Sequence, residues 1–133
     1  MSGEVWYLDS SALVKTVVEE PESRALIEWL AGKGELAACD LVRVEAIRAV
    51  RVSESGAVER ARRALGTLTT IRLDPPLLDR AADMEPASLR SLDAIHLAAA
   101  LSLGPDLAGV VTYDARMADA AERLGLVVAA PAE

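Results

Sequence analysis

The sequence predicts an α/β fold, a parallel sheet with helices on both faces. Three observations point to it. Short apolar runs alternate with segments of helical periodicity along the whole chain. The 133 residues are 52% hydrophobic, enough to bury one substantial core as a single domain, residues 1–133. Two acids, Asp9 and Asp114, each stand just past a predicted strand. In parallel sheets with right-handed helical crossovers, sites form beyond the carboxyl ends of the strands.

The elements follow in order. Val5–Leu8 is short, apolar and β-branched at one position, as a buried strand requires. Residues 10–18 read as a helix. Glu20-Pro21 opens a second, with Pro suited to a first turn. In it Leu26, Ile27 and Leu30 share a face, and Gly32 and Gly34 end it. Glu35–Cys39 is a second strand. Asp40 is placed to cap a helix running to residue 52. Residues 55–65, rich in Arg and Ala, form another helix. TTIRL, residues 69–73, is a third strand, and Asp74-Pro75-Pro76 turns the chain into a helix over 77–84. A strongly apolar helix over 92–103 stops at Gly104-Pro105. Residues 109–112 are a fourth strand, 114–124 a helix, and 126–128 a last short strand.

Composition narrows the function. Aromatics are 3%, with no Phe, so Leu, Val, Ile and Ala must fill the core. The single cysteine, Cys39, permits no intrachain disulfide, which suits a reducing cytoplasm. No apolar run approaches the roughly 18–20 residues of a membrane helix. Glu4 leads straight into a strand, unlike a signal peptide. The net charge of −7 argues against a simple phosphate-backbone binder.

Four acids carry the chemistry. Asp9 and Asp114 each have a plain reading as helix N-caps. A cap uses one carboxylate oxygen and leaves the other for a metal. Glu45, in LVRVEAIRAV, faces Leu41, Val42 and Ala49 on a helix, so it is partly buried; an ion pair with Arg48 is its bland reading. Asp93, in SLRSLDAIHLAAAL, begins a helix apolar almost all round. A charge there is costly unless something cationic or several donors compensate, though Asp93 or Ser91 as a cap is the alternative. If all four converge, the shared pocket needs counter-charge. No lysine follows Lys33, so a hard divalent cation, Mg²⁺ or Mn²⁺, is the natural compensation.

YLDSSALVK, VEAIRA, LRSLDAIHLAAAL and VVTYDARMADAAERLGL together resemble the four acidic motifs of the PIN-domain nucleases, and among them the VapC-type toxins of toxin–antitoxin pairs. The likeness spans nearly the whole chain, and no family acid is missing. It implies a three-layer α/β/α fold around a parallel five-stranded sheet of order 3-2-1-4-5. It also implies Mg²⁺- or Mn²⁺-dependent cleavage of RNA, a VapB-type antitoxin partner and a homodimer. By the resemblance Asp9, Glu45, Asp93 and Asp114 hold one or two ions, with Asp9 and Asp93 the main ligands and Glu45 an outer ligand or water-positioning group.

Other residues have weaker claims. Ser10 and Thr112 flank two site acids, where either hydroxyl can bond a carboxylate or a phosphate. With Arg116 they are the candidate substrate contacts. Lys15, Arg43, Arg48, Arg51, Arg60, Arg62 and Arg63 could hold an RNA backbone or form solvated faces. Trp6, Tyr7, Trp29 and Tyr113 are the few residues able to stack on bases. His96 reads as a hydrogen-bonded packing residue, Asp74 as a cap, and Asp119 as a solvated helix position.

Rival classes fit less well. A phosphoacceptor receiver domain requires a lysine near the last strand, where none occurs. A haloacid-dehalogenase-type phosphatase needs a second Asp two residues after Asp9, where Ser11 stands. A catalytically silent PIN-like scaffold would have no need of four acids. An RNA-processing or decay PIN nuclease outside any toxin pair is the remaining enzyme alternative.

Overall fold

The computed structural model describes residues 3–133. Among them lie five strands and seven α-helices: β1 Val5–Leu8, α1 Ser10–Lys15, α2 Ser23–Ala31, β2 Glu35–Cys39, α3 Val42–Val50, α4 Ala57–Leu65, β3 Thr69–Ile71, α5 Pro75–Ala82, α6 Ser91–Leu101, β4 Leu107–Val111, α7 Ala115–Arg123 and β5 Val128–Ala129. The strands form one sheet of order β3-β2-β1-β4-β5, and every pairing is parallel.

Both faces of the sheet are apolar, as helices on both sides demand. Alternation along the strands sorts the core. Tyr7, Cys39 and Val110 point to one face and pack with Leu77 of α5 and Ala94, Ala98 and Ala99 of α6. Leu8 and Val111 point to the other and pack with Ala12 of α1 and Leu26 of α2. Ala38 joins Leu13, Val42 and Ala46 on that same side. α7 closes the first layer by packing Met117 and Ala121 on Leu97.

Several boundaries depart from the sequence reading, each for a local reason. α1 stops at Lys15 rather than 18, because the β-branched Thr16 bonds its hydroxyl back to the Leu13 carbonyl and the chain turns. Pro21 lies outside α2; the turn before that helix is held by Ser23, which accepts from the Glu20 amide and donates to the Val18 carbonyl. Asp40 does not cap α3. The cap position is Leu41, without a side-chain bond, and Asp40 pairs with Arg43 at 3.2 Å. α4 begins at Ala57 after Gly56, whose φ of +83° suits glycine. α6 starts one residue early and ends at Leu101, followed by a 3₁₀ turn. Asp74 caps α5, accepting from the Leu77 amide at 3.0 Å.

The β1–β4 seam contains an irregularity that aligns the site. Val5 pairs with Leu107 but Trp6 pairs with Gly109, so β4 carries an extra residue there. A Cβ on Gly109 would stand 2.6 Å from the Trp6 ring and 2.6 Å from the Val127 carbonyl oxygen. The oxygen is backbone and cannot rotate away. Gly109→Ala should therefore destabilise the protein by about 1–3 kcal/mol, as overpacking does. Chemical denaturation checks this; unchanged stability would show that the β1–β4–β5 seam is loose.

Candidate active site

In this strand order β1 is central, with β2 on one side and β4 on the other. The chain leaves β1 towards β2 and returns on the opposite side as β4. A crevice therefore opens beyond the carboxyl ends of β1 and β4. Asp9 leaves β1 into it, and Asp114 follows β4.

Asp9 is 4% exposed and caps α1. Its Oδ1 accepts from Ser11 Oγ at 2.6 Å and from the Ala12 amide at 3.1 Å; its Oδ2 accepts from Thr112 Oγ1 at 2.5 Å. Burial pushes this carboxyl up, and the three bonds only partly oppose it. The donors have duties of their own. Thr112 Oγ1 accepts from the Asp114 amide at 3.1 Å, and Ser11 Oγ accepts from the Tyr113 amide at 2.9 Å. One small lattice thus ties the turn after β1 to the turn after β4.

Asp114 caps α7, its Oδ1 accepting from the Arg116 and Met117 amides at 2.9 and 3.4 Å. Asp93 stands in the first turn of α6 without acting as its cap; the cap position is Arg90. Partial burial raises the Asp93 carboxyl, and the nearby charges of Asp114 and Asp9 raise it further, against the opposing pull of His96 and Arg90. Three of the four predicted acids therefore share one electrostatic field.

Glu45 reaches the same region from α3 but is held differently. Its Oε1 accepts from Ser10 Oγ at 2.6 Å and from His96 Nε2 at 2.8 Å. Burial would raise its carboxyl, yet the bonds to His96 and Ser10 outweigh that and hold it below the usual range. The expected pair with Arg48 is absent among the described residues, because the carboxylate turns inward to His96 instead.

His96 is the part that sequence reading underrated. It is buried and hydrogen-bonded, as expected of a packing residue, but it also bears charge. Nδ1 lies 2.7 Å from Tyr7 Oη and 3.8 Å from Cys39 Sγ. Burial alone would lower the imidazolium's pKa; the Cys39 sulfur and the Glu45 carboxylate reverse this and lift it to about 10. The cation of this cluster is thus built into α6, three residues from Asp93. Ser11 was missed as well, since an Asp-Ser-Ser run does not reveal which serine turns towards the acid.

The basic candidates divide. Lys15 is engaged with Glu20 and Glu22 at 3.1 and 2.8 Å and lies over the Tyr113 ring. Arg60 is held by Glu54 and the Val17 carbonyl. Arg48, Arg51, Arg62 and Arg63 are exposed. Of the aromatics, Tyr7 is fully buried and Trp6 stacks edge-on against Trp29.

The donor set of Asp9, Asp93 and Asp114 is all oxygen and anionic, the chemistry a hard divalent cation takes. Among the described residues, no three acid, histidine or cysteine side chains stand close enough to enclose an ion as they lie. Asp93 accepts no hydrogen bond from any described residue, so its carboxylate is not committed elsewhere. The residues fit such an ion in kind.

This fold and crevice define a class: α/β proteins whose acids gather where a parallel sheet reverses its strand order. The chain belongs to the PIN domain family, which it matches over residues 6–123, and to that family's VapC-type members. It is 48% identical to ribonuclease VapC46 of Mycobacterium tuberculosis over 94% of this chain and 96% of that protein. It is 45% identical to ribonuclease VapC47 of the same species over 94% and 96%. Among solved structures it resembles Mycobacterium tuberculosis VapC20, a sarcin–ricin loop cleaving toxin, with a TM-score of 0.73 and 16% identity over 95% of this chain and 99% of that one. Rickettsia felis VapBC2, solved with a fragment of promoter DNA, gives a TM-score of 0.63 at 15% identity over 94% and 97%. At those identities the likeness is one of fold.

The raised carboxyls have a consequence for stability. Asp9 and Asp93 bind protons more tightly folded than unfolded. Their contribution is complete below the unfolded value of about 3.9 and is lost as pH rises through the raised folded values. Glu45 acts in the opposite sense. Asp9→Asn keeps the shape and an acceptor oxygen for Ser11 and the Ala12 amide, removes the charge, and leaves Thr112 Oγ1 to accept from the new amide instead of donating. In chelator at pH 8 this variant should melt above the wild type, and the gap should close towards pH 4. A variant that melts lower at pH 8 would mean the Asp9 charge is stabilising as it stands.

Proposed function

We propose that the chain is a metal-dependent endoribonuclease that hydrolyses RNA phosphodiester bonds as the toxin of a toxin–antitoxin pair. The observation that carries the reading is the shared field of Asp9, Asp93 and Asp114 at the β1–β4 crevice. Its support from relatives is that those 45–48% identical over nearly their full lengths are named ribonucleases. Such crowding is unfavourable in the isolated protein and useful when a cation binds.

In this reading Asp9, Asp93 and Asp114 hold Mg²⁺ or Mn²⁺, with Glu45 on its margin. A divalent cation held by these carboxylates would supply hydroxide at neutral pH and would offset charge developing on the phosphate. The protein's own groups do the positioning. Ser11, Thr112 and the Ala12 amide fix the direction in which Asp9 presents its free lone pairs. Ser10 and His96 do the same for Glu45 through its Oε1 and leave its Oε2 free of hydrogen bonds from described residues. The hydroxyls of Ser10 and Thr112 thus serve carboxylates first. Arg116, two residues past Asp114 in the first turn of α7, is the contact we assign to the substrate phosphate. The partner in this reading is a VapB-type antitoxin, and the working form is a homodimer in the cytoplasm.

Chelator-treated protein should leave RNA intact, and added Mg²⁺ or Mn²⁺ should restore cleavage. Asp93→Asn should lower the rate about 100-fold or more, the scale of removing one preorganised electrostatic group. Mn²⁺ should raise the melting temperature of the wild type but not of Asp93→Asn. Cleavage that survives exhaustive chelation would overturn the metal assignment. His96→Gln should weaken Mn²⁺ binding about 10–100-fold, as loss of a group that orients a metal ligand does; calorimetric titration reads this directly.

A further inference from the structure

A cleft of about 640 Å³ adjoins the acids on the side of α6 and α7, and Asp93 forms part of its wall. Its floor is apolar, contributed by Leu89, Ala120 and Leu124. Leu124 is 39% exposed and so reachable from solvent. Three arginines stand on the rim: Arg90, Arg116 and Arg123. Two further acids line it. Asp119 is engaged by Arg123, Nε to Oδ2 at 3.0 Å, and Glu85 also lines the cleft. No ion pair among the described residues holds the Arg116 guanidinium.

The geometry points to this cleft as a nucleotide subsite, which seats a base beside the scissile phosphate on the Leu89–Leu124 floor and holds the adjoining backbone on Arg90 and Arg116. This rests on the ribonuclease reading above. Two features favour a nucleotide over other occupants. An apolar floor accepts the flat face of any base, and a guanidinium pair takes a phosphate at either edge. The cleft also meets the acidic site at Asp93, which forms part of its wall, so a strand lying in it passes one of the candidate metal ligands. A chain of net charge −7 cannot draw RNA by its overall field, so a local pair of arginines has to do the work.

The test measures the binding of a fluorescent single-stranded RNA of mixed sequence by anisotropy, in an Asp9→Asn background so that nothing is cut. Arg90→Gln and Leu124→Glu should each weaken binding about 5–10-fold, and Arg90→Gln should flatten the salt dependence by about one unit of slope. Glu85→Gln removes a negative charge from the rim and should tighten binding. Arg24→Gln, an equal charge change on the outer surface of α2, should leave affinity unaltered. The four test positions, Arg24, Glu85, Arg90 and Leu124, are exposed, and far-UV circular dichroism confirms that each variant is folded. In the cleaving protein the Arg90→Gln loss should fall on KM. Affinities that are the same for all variants would overturn the subsite and leave the cleft to a protein segment. Failure of the ribonuclease reading looks different: the cleaving protein would not cut RNA under any metal, whatever the cleft variants do.

Discussion

Negative charge crowded at the β1–β4 switch point is the constraint on which the rest of the structure turns. Three carboxylates from three separate elements feel one another there, and a fourth lies just beyond. Folding alone does not favour such a gathering, because like charges in a partly buried crevice raise one another's proton affinity. The molecule answers in two ways. It surrounds Asp9 with three donors, and it supplies one internal cation, His96, bonded to Glu45 and close enough to act on Asp9 and Asp93. That is one positive charge against four negative ones. The shortfall is what a divalent cation would make good.

The scaffold is arranged to hold this gathering rigidly. Asp9 and Asp114 are helix caps, so each backbone is fixed by the amides its side chain serves. Ser11 and Thr112 cross-link the two caps with hydrogen bonds that span about a hundred residues of sequence. Beneath them Gly109 lets β4 approach Trp6 and Val127 closely, which sets the relative height of the two strand ends. The position of the acids is therefore decided by sheet register, while their orientation is decided by hydroxyls.

The sequence made the acids legible because three of them sit at places with strong local signals. Asp9 and Asp114 follow apolar strands, and Asp93 opens a helix too apolar to welcome a charge. Strand order and the sheet's parallel character were legible too, the order through resemblance to known motifs. What was not legible is side-chain direction. Glu45 had Arg48 three residues away on its own helix, and a local pair is the natural reading. The actual partner, His96, is 51 residues distant and meets Glu45 only because α3 and α6 flank the same end of the sheet. Lys15 read as a cation for an RNA backbone or a solvated face, yet Glu20 and Glu22 take it up. Helix ends were misjudged where a side chain bonds back to the main chain, as Thr16 and Ser23 do.

The acidic balance of the whole chain now has a physical sense. A basic protein binds RNA broadly, through released counterions, and gains little discrimination from it. Here the net charge disfavours a polyanion in general, and several cations are already engaged: Lys15 by glutamates, Arg60 by Glu54, Arg123 by Asp119. In the proposed reading a strand would settle where an unengaged arginine, an apolar floor and a cation held by carboxylates coincide. Affinity is then lower than a basic groove would give, but it is concentrated at the one place where chemistry can follow.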